Sequence, residues 1–201
     1  MTESKRGGIN TWTDLREAAK HSYSDAITIL ATIAVVEKGN QLRVIEGLNA
    51  ANVGRAVAML RDAAFFRVQL VVVRAFDPVQ RSDDIHLRAA VDFLREPGRI
   101  SQERLPERQA DLHQTIALFD TVAADPRLTA LKHMRNKELA HWARYGDEDR
   151  PMIRDLFEFA EQTCRIWERL SFGAGTVMVE VDHQIDEYRE AAAAFWSHWE
   201  S

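Results

Sequence analysis

The chain has little that cross-links or breaks a fold. Cys164 is the one cysteine in 201 residues, which excludes an intrachain disulfide and a zinc site built on thiolates. Its neighbours Phe159, Ala160, Ile166 and Trp167 give it the setting of a small buried hydrophobe. Only five prolines and nine glycines interrupt the chain, and with abundant alanine this points to helix. The longest run without a charge, Ala26 to Val36, has eleven residues, short of the roughly 20 that cross a bilayer as a helix. Met1 to Asn10 lacks the apolar stretch of a signal peptide, so the expectation is a cytoplasmic protein with no membrane contact. There is no excess of positive charge either. A net charge of −5 argues against a broad electrostatic grip on nucleic acid, which rests on Lys and Arg neutralising phosphates. A small basic pocket remains compatible with it. Of the 26 basic residues 21 are arginine, the better donor for planar phosphate recognition.

Familiar catalytic signatures are missing too. There is no HExxH, no nucleophile elbow, no phosphate loop and no dinucleotide glycine pattern. Asp182, His183, Asp186 and Glu187 read as solvated residues at a helix start rather than as metal ligands. His21, His86, His113 and His198 read as surface or partly packed histidines, and the scattered tryptophans as packing. No metal and no cofactor is expected.

What is present is a series of amphipathic helices. The first runs from about Trp12 to Glu37, with Thr11 and Asp14 able to cap its start and Gly39 to end it. Leu15, Ala19, Ser22, Ala26, Ile29, Ile33 and Val36 alternate spacings of four and three, a seam suited to another long helix at close approach. A second long helix, about Ala50 to Phe76, carries Val57, Leu60, Ala64, Val68, Val71 and Ala75 on one face. Its stretch Leu70 to Val73 is apolar all round, the pattern of a central bundle helix. Asp77-Pro78 stops it. Looser sequence follows to Pro106, with one short helix near Asp84 to Arg95.

Further helices are expected from Pro106 to about Ala124, from Pro126 to about Tyr145 and from about Pro151 to Ser171. The helix at Pro126 is opened by Asp125 with a first-turn proline, and the one near Pro151 by Asp149 with Pro151. The core face of that last one includes Ile153, Leu156, Phe157, Ala160, Cys164 and Trp167. Thr176 to Val181 can be extended, and Asp182 can cap a final helix to Trp199, whose Phe195, Trp196 and Trp199 form an apolar tip needing a partner. The expected organisation is a flexible N-terminus (1–10), an all-α bundle of five to seven helices (11–172), and a linker with a C-terminal helix packed on the same domain (173–201).

The helix starting at Pro126 carries the functional signal. With 100° per residue, Leu128, Leu131, Arg135, Leu139 and Trp142 fall within about 40° of one line. A charged residue in an apolar row is costly unless paired. One explanation is a structural ion pair with a carboxylate such as Asp62 or Asp120, with His141 stabilising a helix C-terminus. The other is a functional pair, Arg135 and His141. The generic spacing, an arginine and a following histidine with four to six residues between them, is also met at Arg81–His86, Arg108–His113 and Arg127–His133. Only the segment Arg135-Asn136-Lys137-Glu138-Leu139-Ala140-His141 has the polar residue after the arginine and the alanine before the histidine.

This RNKxxAH segment, late in the chain and behind two long helices, resembles the HEPN family, and within it the branch tied to abortive infection and phage resistance. The resemblance covers Trp12 to Ser171. It implies a metal-independent endoribonuclease: the RNA's own 2′-hydroxyl attacks the adjacent phosphate, leaving a 2′,3′-cyclic phosphate and a 5′-hydroxyl. His141, with an ordinary pKa near ~6.5, suits the proton transfer. Arg135 would stabilise the phosphorane, a role whose loss commonly costs roughly a hundredfold or more. Asn136 would bond the phosphate or orient the histidine, and Lys137 and Arg144 would contact substrate.

The resemblance also implies RNA as substrate, a homodimer with a composite active site, and a phage-defence or toxin–antitoxin setting with an antitoxin or regulatory partner. HEPN toxins paired with nucleotidyltransferases carry a tyrosine two residues after the histidine. Here that position is Ala143, with Tyr145 two further on, which speaks against control by modification of that tyrosine. The alternative reading is a HEPN-like helical module that binds RNA or a protein without cutting.

Overall fold

The computed structural model describes residues 8–81, 83–140 and 152–200. Among them the chain forms α1 (Trp12–Gly39), α2 (Leu42–Ala50), α3 (Gly54–Arg74), α4 (Leu87–Leu94), a 3-10 turn (Ile100–Gln102), α5 (Pro106–Ala123), α6 (Pro126–Ala140), α7 (Ile153–Gly173) and α8 (Val181–Ser197), and no strand. The all-α expectation holds. None of the described helices is long and apolar enough to cross a membrane.

The first helix starts where expected. Thr11 Oγ1 accepts from the Asp14 N–H, and the Asp14 carboxylate accepts from the Thr11 and Asn10 N–H groups, which holds its pKa below the usual value, the Asn10 bond contributing most. Every residue of the seam from Leu15 to Val36 is buried. Its close partner is α7. Because Ala18, Ala19 and Ser22 are small, the Ser171 hydroxyl reaches across to the Ala19 carbonyl at 2.9 Å. Cys164 Sγ lies 3.8 Å from the Ala26 carbonyl, and burial pushes its thiol pKa well up.

That makes α7, not α3, the central helix. It packs on α1 and α5 and is buried on most of its girth, through Phe159, Ile166 and Leu170 as well as Leu156, Ala160 and Trp167. Ile153, expected in its core face, is exposed. Glu168, 3 % exposed, stays satisfied because its carboxylate accepts from the Val181 N–H at the start of α8.

The second long helix departs furthest from expectation. Its first stretch is a separate helix, α2, and α3 begins only at Gly54, after Asn52 with φ 59°. Of its expected face, Val68 and Ala75 are buried while Leu60 is 71 % exposed. The N-terminal turns of α3 therefore stand away from the core, and periodicity had no means of showing it. Met152 and Asp155 open α7, the Met152 N–H donating to the Asp155 carboxylate; the expected Asp149–Pro151 start lies outside the described residues. Segment 176–180 forms no strand, and Asp182 sits in the first turn of α8 without capping it.

Of the apolar tip of α8, Trp196 and Trp199 find partners within the fold, while Phe195 stays 64 % exposed. Trp196 donates to the Val35 carbonyl at 2.9 Å and packs on Val44 and Leu48. Two glycines make room: a Cβ at Gly39 would stand 2.7 Å from the Trp196 ring, and one at Gly47 would stand 2.1 Å from the Trp199 carbonyl oxygen.

Candidate active site around Arg135

The α6 helix is anchored at its start and middle. Asp125 accepts from the Arg127 N–H at 2.8 Å and from the Arg127 guanidinium at 2.6 Å, which lowers the Asp125 pKa, while Arg127 also reaches Glu158 at 2.9 Å. Leu128 and Leu131 are buried, as their place in the apolar row demands. From α3, Gln69, 2 % exposed, donates to the Leu131 carbonyl at 3.0 Å. That carbonyl lies one helical turn before Arg135, so Gln69 ties the turn carrying the arginine to α3.

Arg135 follows in the same row with its side chain 16 % exposed. Its Nη1 donates to Asp77 Oδ2 at 2.6 Å, and Nε and Nη2 both donate to Asn136 Oδ1 at 3.2 Å. The partner is thus Asp77, not Asp62 or Asp120; Asp120 pairs with Arg95 instead. By sequence alone Asp77, before Pro78, marks only the end of a helix. A separation of 58 residues leaves no local signal of the contact, and only the C-terminus of α3 meeting α6 creates it. That corner is stiffened by Phe76, stacked on Phe119 with centroids 5.1 Å apart and tilted against Phe159 at 5.4 Å. Lys132, one turn before Asn136, brings its Nζ within 3.9 Å of Asp77 Oδ1 and 3.3 Å of the Phe76 carbonyl. It was not among the expected site residues.

Asp77 also lines a polar groove of about 230 Å³ with Arg74, Gln80, Arg81, Asp84 and His86. Asp84 accepts from the Gln80 and Arg81 N–H groups at 2.8 and 2.9 Å, which lowers its pKa, the Arg81 bond contributing most. His86 caps α4 by accepting the Ala89 N–H on Nδ1 at 3.4 Å, so the neutral ring carries its proton on Nε2. Burial lowers the His86 pKa.

Of the expected site, Arg135, Asn136 and Lys137 lie together on the last two turns of α6. His141 and Arg144, like Tyr145, lie outside the described residues. Among the described residues no three His, Cys, Asp or Glu side chains gather as a metal site. Asp182 pairs with Arg165 at 2.7 Å and Asp186 with Arg189 at 2.8 Å. Among the described residues a cavity of about 430 Å³ lies elsewhere, walled by Val36, Ile45, Leu48, Val57 and Trp196. Val57 is about 25 Å along α3 from Arg74, and the motif does not line it.

Comparison with curated proteins and with solved structures gives no match. The family model HEPN_AbiU2, described as AbiU2, matches residues 9–195, nearly the whole chain. The chain therefore belongs to the AbiU2 family of the HEPN superfamily, in its abortive-infection branch.

Proposed function

We propose that this protein is a metal-independent endoribonuclease acting in phage defence, with Arg135, Asn136 and His141 as its catalytic residues and Lys137 and Arg144 as substrate contacts. The observation that carries the reading is the state of Arg135. Among the described residues its three bonds to Asp77 and Asn136 leave two of the five guanidinium N–H donors for a ligand. Those bonds fix the guanidinium plane beside a groove lined by two more arginines and a histidine. A preorganised cation of this kind stabilises charge as it develops on a phosphorane without reorganising during the step.

In the reaction the 2′-oxygen forms a bond to phosphorus and the bond from phosphorus to the 5′-oxygen breaks. The 2′-hydroxyl proton passes to a base and the departing 5′-oxygen receives a proton, exchanges suited to the imidazole of His141. A homodimer that sets two copies of α6 face to face would gather Arg135, Lys137 and Arg144 from both chains, a way for an acidic protein to hold a polyanion.

One observation favours the second reading, a HEPN module that binds without cutting: Asp77 neutralises much of the Arg135 charge within one chain. The deciding experiment incubates purified protein with defined RNAs in excess EDTA, beside His141→Ala and Arg135→Ala. Cyclic-phosphate ends made by the wild type and lost in both variants establish the nuclease. A folded dimer that cuts none of several RNA classes sinks it in favour of the second reading.

A further inference from the structure

The polar groove beside Asp77 continues, through the shared residues Arg74 and His86, into a second cavity of about 300 Å³ between α1, α3 and α7. Leu70, Val71, Ile85 and Trp167 form its apolar walls, and Asp25, from the middle of α1, supplies its carboxylate. Asp25 is half-buried, yet among the described residues it accepts no hydrogen bond and forms no ion pair within 4.0 Å. Burial raises its pKa, while Arg67, His21 and Arg74 oppose that through space without touching it. A carboxylate taken partly out of water and left without a donor is costly, and Asp25 forms part of the cavity wall. His86 lines the same cavity and keeps an Nε2–H, because its Nδ1 is committed to the α4 cap. Arg74, on the wall common to both cavities, makes no ion pair among the described residues.

We propose that this cavity binds a guanine base, with Asp25 accepting from its N1–H and N2–H donors and Arg74 and His86 donating to O6 and N7. The assignment follows from the order of donors and acceptors. A carboxylate offers two acceptors side by side, and among the four RNA bases only guanine presents two adjacent N–H donors on its Watson–Crick edge. Adenine and cytosine set one amino group beside an acceptor, and uracil sets one N–H between two carbonyls. Guanidinium and imidazole N–H groups suit the acceptor pair O6 and N7. Apolar walls around a few polar groups are the usual make-up of a small-ligand pocket.

The proposal deepens the ribonuclease reading, since a guanine here would lie one groove away from Arg135, as a base flanking the cut phosphate. It rests on that reading only for the RNA strand as the source; a free guanine nucleotide offers the same edge. The test therefore begins without cleavage. Calorimetric titration of the full chain with GMP, AMP, CMP and UMP should show GMP tighter by on the order of tenfold. Asp25→Asn, nearly isosteric but with one acceptor replaced by a donor, should bring GMP to the level of AMP, whereas Asp62→Asn on an exposed turn of α3 should not. Photocrosslinking of 6-thioguanosine monophosphate to the wild type, mapped to peptides holding Leu70 to Arg74 or Ile85 to Leu87, gives a readout independent of any variant's folding.

Two short 2′-O-methyl oligonucleotides, one with a single guanine and one with adenine in its place, separate the sources. Tighter binding of the guanine strand than of GMP points to RNA, and no gain over the adenine strand points to the free nucleotide. Equal affinity for all four nucleotides, an unchanged preference in Asp25→Asn, or crosslinks elsewhere overturns the proposal. Guanine preference in a protein that cuts no RNA leaves the pocket standing and removes only the nuclease.

Discussion

Removing Asp77 tests how Arg135 is held. In Asp77→Ala the guanidinium loses its 2.6 Å partner, and Lys132 loses its neighbour at 3.9 Å. The pair is 16 % and 27 % exposed on its two sides. It therefore falls between an exposed ion pair, at about 0–1 kcal/mol, and the roughly 3–5 kcal/mol lost when one half of a buried pair is removed. An intermediate cost of about 2 kcal/mol corresponds to a Tm drop of about 4–8 °C for a chain of this length. The converse variant, Arg135→Ala, should cost less, because Asp77 keeps Lys132 beside it. In Asp77→Ala two cations are left facing each other with no anion between them.

Thermal unfolding by circular dichroism of wild type, both single variants and the double variant closes a double-mutant cycle. The expected coupling is about 1–2 kcal/mol, with the double variant little worse than Asp77→Ala. Additivity within about 0.5 kcal/mol would refute the argument that Asp77 positions Arg135. Below the melting range the RNA assay separates roles: Arg135→Ala should abolish cleavage, whereas Asp77→Ala should leave it slowed.

Three further outcomes are expected. Gln69→Leu removes the buried bond to the Leu131 carbonyl and should cost about 0.5–1.5 kcal/mol in urea unfolding; an unchanged midpoint means that the bond does not secure α6. His86 has a lowered folded pKa, so the unfolded chain takes up its proton first. The stability it confers is full above the ordinary pKa near ~6.5 and is lost as pH falls from there towards the folded value. Protonation also removes the α4 cap, so His86→Asn should flatten the stability–pH curve over that window, and an unaltered slope would contradict the assignment. Gly47→Ala should destabilise the protein even though alanine favours helix by about 1 kcal/mol, since its Cβ would overlap the Trp199 carbonyl; a raised Tm would show that the α8 tip does not sit against α2.

The sequence by itself determined the helical content and most helix ends, because caps, prolines and the spacing of apolar residues act over a few neighbours. The Thr11–Asp14 box, the seam of α1 and the Asp125–Pro126 start of α6 are all of this kind. It also marked Arg135 as anomalous, since a charge in the row of Leu128 and Leu131 breaks a local rule. What periodicity leaves open is which apolar faces find partners. The seven buried residues of the α1 seam and the exposed Leu60 of α3 carry the same local pattern, and only the packing of α7 against α1 and α5 separates them. Tertiary structure likewise chose Asp77 over Asp62 and Asp120 as the partner of Arg135, brought Gln69 under the motif turn, and put Asp25 and His86 in the wall of one cavity. These pairings bring together residues about 60 positions apart, and their geometry follows from how the helices cross, which no short stretch of chain encodes.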